Sequence, residues 1–424
     1  MGDEKFLSAI RKTRSMKSQH NEAEVPFEFD ELFFSRTDKR GKICSGNSVF
    51  RRISRFDWEE LLGKPHNVIR HPDMPRGVFW LMWDRIRRGL PTGAYVKNRA
   101  KDGDHYWVYA IVTSIEDGYL SVRLKPSGPL FEIVKSAYER LLSIEERERV
   151  SPQQSASLLM QHLQEHSFED YDAFMASSLL AELNARDDKI GRSRNGLVEL
   201  LEDLCSTSRR LYGIAREIMV AYANHRFVPM NLIVHSGRLG SSGAAIGKIS
   251  QNYGTLATEI EAALETFSIS ARKVAEAIQH GAFLIGTARL QREMSTAFLK
   301  EVLDDRIDRI EETTCLDSQT SSFWTRSFEG LAKIQGETSE FIRAASDMKR
   351  LSTGLAAIRV MGKVEAGRLG TRVLSDLIAD LEAFQEKLNV GLAEISRLND
   401  TLLNSTRHVL KAFDTADGRN RSSV

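Results

Sequence analysis

HNVIRHPDMP (66–75) and YVKNRAKDGDHYWV (95–108) decide how this chain is read. Two X-Pro steps, His71-Pro72 and Met74-Pro75, bias the residues before them toward extended backbone, so the first segment reads as a structured loop rather than a helix. Arg70, His71 and Asp73 cluster there between apolar runs. In the second segment two strand-like runs flank Asp102-Gly103, a hairpin signal. A plain helical bundle has no use for this combination, whereas a small ligand-holding fold does.

The flanking residues extend the pattern. FDELFFSRT (29–37) and KICSGN (42–47) read as strands around a turn at Lys39-Arg40-Gly41. Short helices are predicted over 48–63, and a longer one from Pro75, where proline suits the first turn, to Gly89. AYVKNRA (94–100), HYWVYAIVTSI (105–115) and YLSVRLKP (119–126) follow as a three-stranded meander with turns at Asp102-Gly103 and Asp117-Gly118. The expectation is an α+β domain at 27–126, a five-stranded antiparallel sheet with flanking helices, preceded by a cap or flexible segment at 1–26.

The rest of the chain has a different grammar. Eight of the nine prolines lie at or before Pro152, and Pro229 is the ninth. Proline breaks helix interiors, so its scarcity permits long helices. Leu197, Leu201, Leu204, Leu211, Ile214, Ile218 and Tyr222 recur at helical spacing. So do Leu377, Leu381, Phe384, Leu388, Leu392, Ile395 and Leu402. A helix over 371–413 would run roughly 60 Å. Helices that long are expected to pair, within the chain or with a second copy. The expected divisions are a helical connector at 127–190, an all-α region of long antiparallel helices, bundle or coiled coil, at 191–416, and a disordered tail at 417–424.

Net charge is +1, which argues against wholesale attraction to nucleic acid or an anionic membrane. Cys44, Cys205 and Cys315 are widely spaced and contain no CxxC, a pattern that fits a reducing cytoplasm. The first residues lack the apolar core of a signal peptide. No uncharged apolar run approaches the roughly 20 residues of a spanning helix. A soluble, cytoplasmic protein is expected.

Over 27–126, GKPHNVIRHPDMP, YVKNR and KDGDHYWV resemble the PAS domain of aerotaxis receptors. That resemblance implies a cleft between sheet and helices holding FAD, with contacts carried over onto Asn47, Arg70, His71, Asp73, Phe79 and Asn98, and Trp107 nearby. Physically, a flavin needs a flat apolar slot, amides at the ring edge and positive charge near its pyrophosphate. Phe79 and Trp107 could line the slot, Asn98 meet the ring edge, and Arg70 fork onto a phosphate. Thr92 stands where the family usually carries a tryptophan. Other readings stay open: an empty or structural PAS fold, or haem with His71 as axial ligand. Arg70 and Asp73 could form a local ion pair, His71 could cap a turn, and Phe79, Trp80 and Trp83 could be ordinary core.

NLIVHSGRLGSSGAAIGKIS (231–250) resembles the cytoplasmic hairpin tip of methyl-accepting chemotaxis proteins, with Asn231, Arg238, Gly240 and Gly243 in register. The resemblance implies contact with the chemotaxis kinase, its coupling protein or other chemoreceptors. His235 and Ser241 replace acidic residues of the motif, and Ala245-Ile246 a Gly-Phe pair. VEAGRLG (364–370) repeats Gly-Arg-Leu-Gly from 237–240, as an internal duplication or as a small-residue seam. Glu311-Glu312-Thr313 is similar to a methylation site, or is a solvated pair on a helix.

No catalytic motif stands out. GxxxxGK[ST], GxSxG and HExxH are absent, and His225 with Pro229 lies one residue short of a phosphoacceptor box. The leading expectation is a non-enzymatic signal transducer, a homodimer through its long helices: a flavin-type PAS module senses oxygen or redox state, and the helical half reports to a protein partner. The rival is a structural or adaptor protein that uses both parts for assembly.

Overall fold

The computed structural model describes residues 23–421, with side-chain surroundings through Ala412. The cap expected at 1–26 therefore falls mostly outside the described residues, as does the end of the expected tail. The chain divides into two compact units. The first ends at Arg194 and also takes in Gly286–Ser322; the second comprises Asn195–Ile285 and the chain from Phe323 onward. Gly286–Ser322, expected within the helical half, thus belongs to the first unit.

The first unit is built on five antiparallel strands, β1 (Phe33–Asp38), β2 (Ile43–Gly46), β3 (Thr92–Arg99), β4 (His105–Ile115) and β5 (Gly118–Leu124), in the order β2-β1-β5-β4-β3. Expected and observed strands match closely, except that FDELFFSRT begins as a strand only at Phe33. Between β2 and β3 lie α1 (Ser48–Ser54), α2 (Trp58–Leu61), a 3-10 turn at His66–Ile69, and α3 (Arg76–Arg87). After β5 come α4 (Leu130–Glu148), α5 (Pro152–Glu165) and α6 (Tyr171–Lys189), across the stretch expected as a helical connector.

Strand alternation sorts side chains onto two faces. Register pairs Lys97 with Trp107, Asn98 with Tyr106, and Val112 with Ser121. On the back face α4 sets Phe131 edge-on to Trp107, with centroids 5.3 Å apart, and the Tyr138 hydroxyl donates to Tyr95 O at 3.0 Å. From α6, Glu182 Oε1 accepts from Tyr95 at 2.8 Å while its Oε2 accepts from Ser127 N and Gly128 N at 2.7 and 2.9 Å. Burial raises the Glu182 carboxyl above its ordinary pKa against those hydrogen bonds.

Two long helices, α9 (Ala244–Phe298) and α10 (Arg309–Leu369), contribute to both units. The loop between them is clasped to the sheet domain. Phe298 packs edge-on against Phe34 at 5.0 Å, and Glu301 accepts from Ser48 N at 2.8 Å at the start of α1. That places a carboxylate at a helix N-terminus, where unpaired N–H groups favour negative charge. Arg36 bonds Glu311 and Glu312, each at 2.7 Å, and Glu312 is 1% exposed. Glu312 is therefore neither solvated nor open to a modifying enzyme, while Glu311 stays exposed; together they fasten α10 to β1.

The second unit contains α7 (Gly196–His225), α8 (Val228–Arg238), the rest of α9 and α10, and α11 (Arg372–Arg421). Pro229 explains the break between α7 and α8, since it cannot supply the N–H that would continue the helix. Tyr222 Oη donates to Ala257 O at 2.8 Å, Phe267 stacks on Phe341 at 5.1 Å, Ser352 Oγ donates to Asn389 at 2.7 Å, and Tyr222 meets Phe384 at 5.8 Å. These contacts close four helical arms into a bundle. Leu381, Phe384, Leu388, Leu392, Ile395 and Leu402 are buried as their spacing predicts.

Both Gly-Arg-Leu-Gly sequences turn out to be helix stops. Gly240 and Gly370 adopt φ of +56° and +64°, the left-handed conformation that ends helices. A Cβ at Gly237 or Gly367 would meet nothing within 4 Å, which removes the small-residue-seam reading. Gly243 is different: a Cβ there would lie 2.3 Å from Ser236 O. The two hairpin turns lie side by side, with Arg368 donating to Ser242 O at 3.2 Å.

Candidate functional site

The front face of the sheet and the chain from His66 to Arg88 enclose a cleft of about 870 Å³. That lies within the usual range of small-molecule sites, roughly 300–1,000 Å³. Its floor is the inward alternation of the strands: Ser35 and Thr37 from β1, Val96 and Asn98 from β3, Ala110 and Val112 from β4, Ser121 and Arg123 from β5. Ala110 and the valines keep the floor low. Ile69, Phe79, Met82, Trp83 and Ile86 form the opposite wall. Trp80 and Trp83 are 37% and 36% exposed, unusual for indoles beside an apolar slot.

The lining is strongly cationic. Arg40, Arg70, Arg76, Arg87, Arg88 and Arg123 face the cleft, against the single carboxylate of Asp84. Asp84 is occupied by Arg88 at 2.5 Å, and Arg76 by Glu145 at 3.3 Å. Arg70 lies over the Phe79 ring at 4.1 Å, and Arg87 over Trp83 at 5.6 Å.

Three of the expected residues come together here. Arg70, Phe79 and Asn98 all line the cleft, and a backbone bridge joins Arg70 to Asn98. The others lie elsewhere. Asn47 is fully buried and caps α1: its Oδ1 accepts from Phe50 N at 3.3 Å and Phe34 N at 3.2 Å, while Nδ2 donates to Leu32 O and Glu301. His71 is 1% exposed, and its Nδ1 accepts from Asp73 N at 3.0 Å, so it caps the turn instead of facing the cleft. That placement also removes it as an axial haem ligand. Asp73 sits 3.4 Å from Lys97 Nζ, so the local ion pair there involves Lys97 and not Arg70. Trp107 is on the back face, between Phe131 and Tyr138. Strand parity decides this, because Trp107 is one residue out of phase with Tyr106, the partner of Asn98.

Thr92, ahead of the strand expected from residue 94, is the first residue of β3, fully buried with its hydroxyl toward Met175 Sδ at 3.6 Å. Tip residues also have defined places: Asn231 and Arg238 are exposed on α8, with Arg238 in its last turn, and Gly240 and Gly243 shape the reversal.

Two cleft residues escaped the sequence reading, His66 and Arg123. His66 Nε2 lies 2.7 Å from Arg123 Nη2 and 3.1 Å from Ser35 Oγ. Because the guanidinium can only donate, that nitrogen is an acceptor and the ring proton sits on Nδ1. Burial, reinforced by the Arg123 charge, pushes His66 down to about 3. Burial also lowers Arg123, to about 10. It remains charged at neutral pH. The available signal for Arg123 was its parity with Ser121 in YLSVRLKP, opposite to Leu120, Val122 and Leu124.

Among the described residues no group of three His, Cys, Asp or Glu side chains could hold a metal ion. No helix among them is long and apolar enough to cross a membrane.

Comparison with known proteins agrees with the sheet domain. Residues 44–121 match the PAS fold family model. The aerotaxis receptor of Escherichia coli (strain K12) is 38% identical over 122 residues, 28% of this chain. The chain matches 24% of that receptor's length, about a quarter. Among solved structures, the light state of the blue-light photoreceptor Aureochrome1 LOV covers 27% of this chain and 90% of its own at 20% identity and a TM-score of 0.21. The PAS domain of a protein from Colwellia psychrerythraea covers 27% and 96%, at 19% identity and a TM-score of 0.20.

Proposed function

We infer that the chain is a sensor signal-transduction protein, because residues 44–121 carry a PAS fold similar to that of an aerotaxis receptor and a region of long helices follows it. We propose that the chain is a cytoplasmic redox or oxygen sensor in which this cleft holds a flavin, FAD in the first instance, and in which the helical bundle reports the flavin's state to a protein partner. The observation that carries the proposal is the cleft itself, a slot of about 870 Å³ with a low floor, aromatic walls and a surplus of arginines. An anionic dinucleotide bearing a flat ring fits that chemistry. Asn98 and Phe79 would hold the ring, and Arg70 would donate to a phosphate. When bound, the flavin supplies reversible uptake of electrons and protons. The residues around it exclude water and fix its orientation.

A route outward runs along β1. Ser35 and Thr37 face the cleft, while Phe34 and Arg36 face Phe298 and Glu312 on the other side. A change at the floor would therefore reach α9 and α10 through one strand. For the partner, α8 offers Phe227 just before it and Met230, Ile233 and Val234 along it, exposed by 58%, 61%, 46% and 47%. Apolar exposure of that extent marks a contact surface. The chemotaxis kinase, its coupling protein, other chemoreceptors or a second copy of this chain are the partners proposed for it.

An absorbance spectrum of the purified chain tests the cofactor. Flavin bands are expected, and Asn98→Ala or Arg70→Ala should deplete them by about tenfold or more. A colourless, folded protein that takes up no added flavin refutes the reading. Pull-downs at controlled redox state test the relay: recovery of chemotaxis proteins should change with reduction, and redox-blind recovery of scaffold proteins would favour the adaptor role.

A further inference from the structure

The closed end of the cleft holds a cation that the flavin reading leaves unused. Arg123 is 3% exposed, whereas Arg40, Arg76, Arg87 and Arg88 are exposed at the rim. Its guanidinium carbon lies 5.6 Å from the centroids of both Phe33 and Phe50. The His66 ring stacks on Phe50 at 6.3 Å, completing an aromatic wall. Nη2 is engaged by Ser35 and His66. Nη1, by contrast, is buried with no hydrogen-bond partner among the described residues, and so is Ser121 Oγ, two residues earlier on the same face.

Among the described residues no carboxylate acts on this guanidinium: the influences on its charge are burial and Tyr106. His66 is neutral and contributes no countercharge. A buried guanidinium with an idle nitrogen is costly to a protein unless something completes it. Arg123 and Ser121 both belong to the cleft lining, so a group held in the cleft is placed to complete it.

We propose that Arg123 anchors the electron-rich edge of the bound ring, with Nη1 and the adjacent Ser121 hydroxyl donating to a carbonyl oxygen or ring nitrogen, and that the site thereby favours a ring carrying negative charge over a neutral one. The inference rests on the flavin reading and adds an orientation to it: the ring's acceptor edge enters first, and the phosphates stay with the rim arginines. A charge-assisted hydrogen bond at a buried site has the strength for such an anchor.

The test uses the full chain freed of ligand and titrated separately with FAD and with lumiflavin, a ring without phosphates, followed by flavin fluorescence. Arg123→Met should weaken both by the same factor, about 30-fold, and Arg123→Lys by less. A loss confined to FAD would assign Arg123 to the phosphates and overturn the proposal. Unchanged affinity for both would overturn it while leaving the flavin reading standing. Wild-type protein that binds neither compound removes the flavin reading and the anchor together. Should Arg123→Met fail to fold by circular dichroism, wild type alone decides: the midpoint potential of bound lumiflavin should lie above that of the free compound, and a value at or below it refutes the anchor.

Discussion

The two faces of one sheet are finished differently. On the back face, tyrosine hydroxyls are met: Tyr95 by Glu182, Tyr109 by Ser178, Tyr138 by Tyr95 O and Tyr171 by Gly93 O. On the front face, Arg123 Nη1, Ser121 Oγ and Tyr106 Oη are buried without partners among the described residues. Polar groups buried by folding are ordinarily satisfied, since each unmet one costs stability. Tyrosine hydroxyls met by the covering helices on one side, and open valences on the cleft side, separate a surface built for holding helices from a surface built for holding a ligand.

Substitution of Glu182 puts the largest strain on that contrast. Glu182→Ala strands Tyr95 Oη, Ser127 N and Gly128 N, and should cost about 3 kcal/mol in urea unfolding. Arg123→Met on the other face should change apoprotein stability by less than about 1 kcal/mol, because removing an uncompensated buried cation offsets the hydrogen bonds to Ser35 and His66 that go with it. Equal costs on the two faces would break the comparison.

Acid gives the next largest effect. His66 is held neutral down to about 3 by burial and by Arg123, whereas the unfolded chain protonates it near 6.5. The unfolded state therefore binds the proton first, and the stability associated with neutral His66 is full above pH 6.5 and lost as pH falls toward 3. Between pH 6.5 and 5 this group alone should remove about 2 kcal/mol. His66→Gln should flatten that part of the profile. An unchanged slope would place the titrating group elsewhere.

Trp107→Phe sharpens the distinction at the small end. It trims an indole packed on Phe131 and Tyr138, so a cost of about 1 kcal/mol is expected. Flavin affinity should stay within about twofold, since strand parity puts the ring on the far face. A tenfold loss of flavin would mean that the back face reports into the cleft.

Much of the sheet domain was legible because its cues are local. Asp102-Gly103 and Asp117-Gly118 turn the meander, and Pro75 precedes the first residue of α3. The strand and helix limits follow from them with small errors, as at Phe29–Leu32, where apolar content without pairing does not make a strand. Of the residues carried over from the family resemblance, Arg70, Phe79 and Asn98 line the cleft, while Asn47, His71 and Trp107 do not. Arg123 was missed. Alternating Leu120, Val122 and Leu124 with Ser121 and Arg123 normally means apolar inside and polar toward water, yet here both faces are covered and the polar face is the cleft.

The sequence alone determined where backbone turns and which residues share a face, since proline, glycine and two- or 3.6-residue periodicity act over a few bonds. The repeated Gly-Arg-Leu-Gly was read as a duplication or a seam, and only the structure showed Gly240 and Gly370 to be helix stops at paired hairpin turns. Tertiary structure decided which face is closed and which is open, that the Phe298–Glu312 segment clasps β1 and α1, and that Arg123 lies buried without a countercharge among the described residues. Those outcomes depend on groups hundreds of residues apart meeting in space, and on which of them water can still reach.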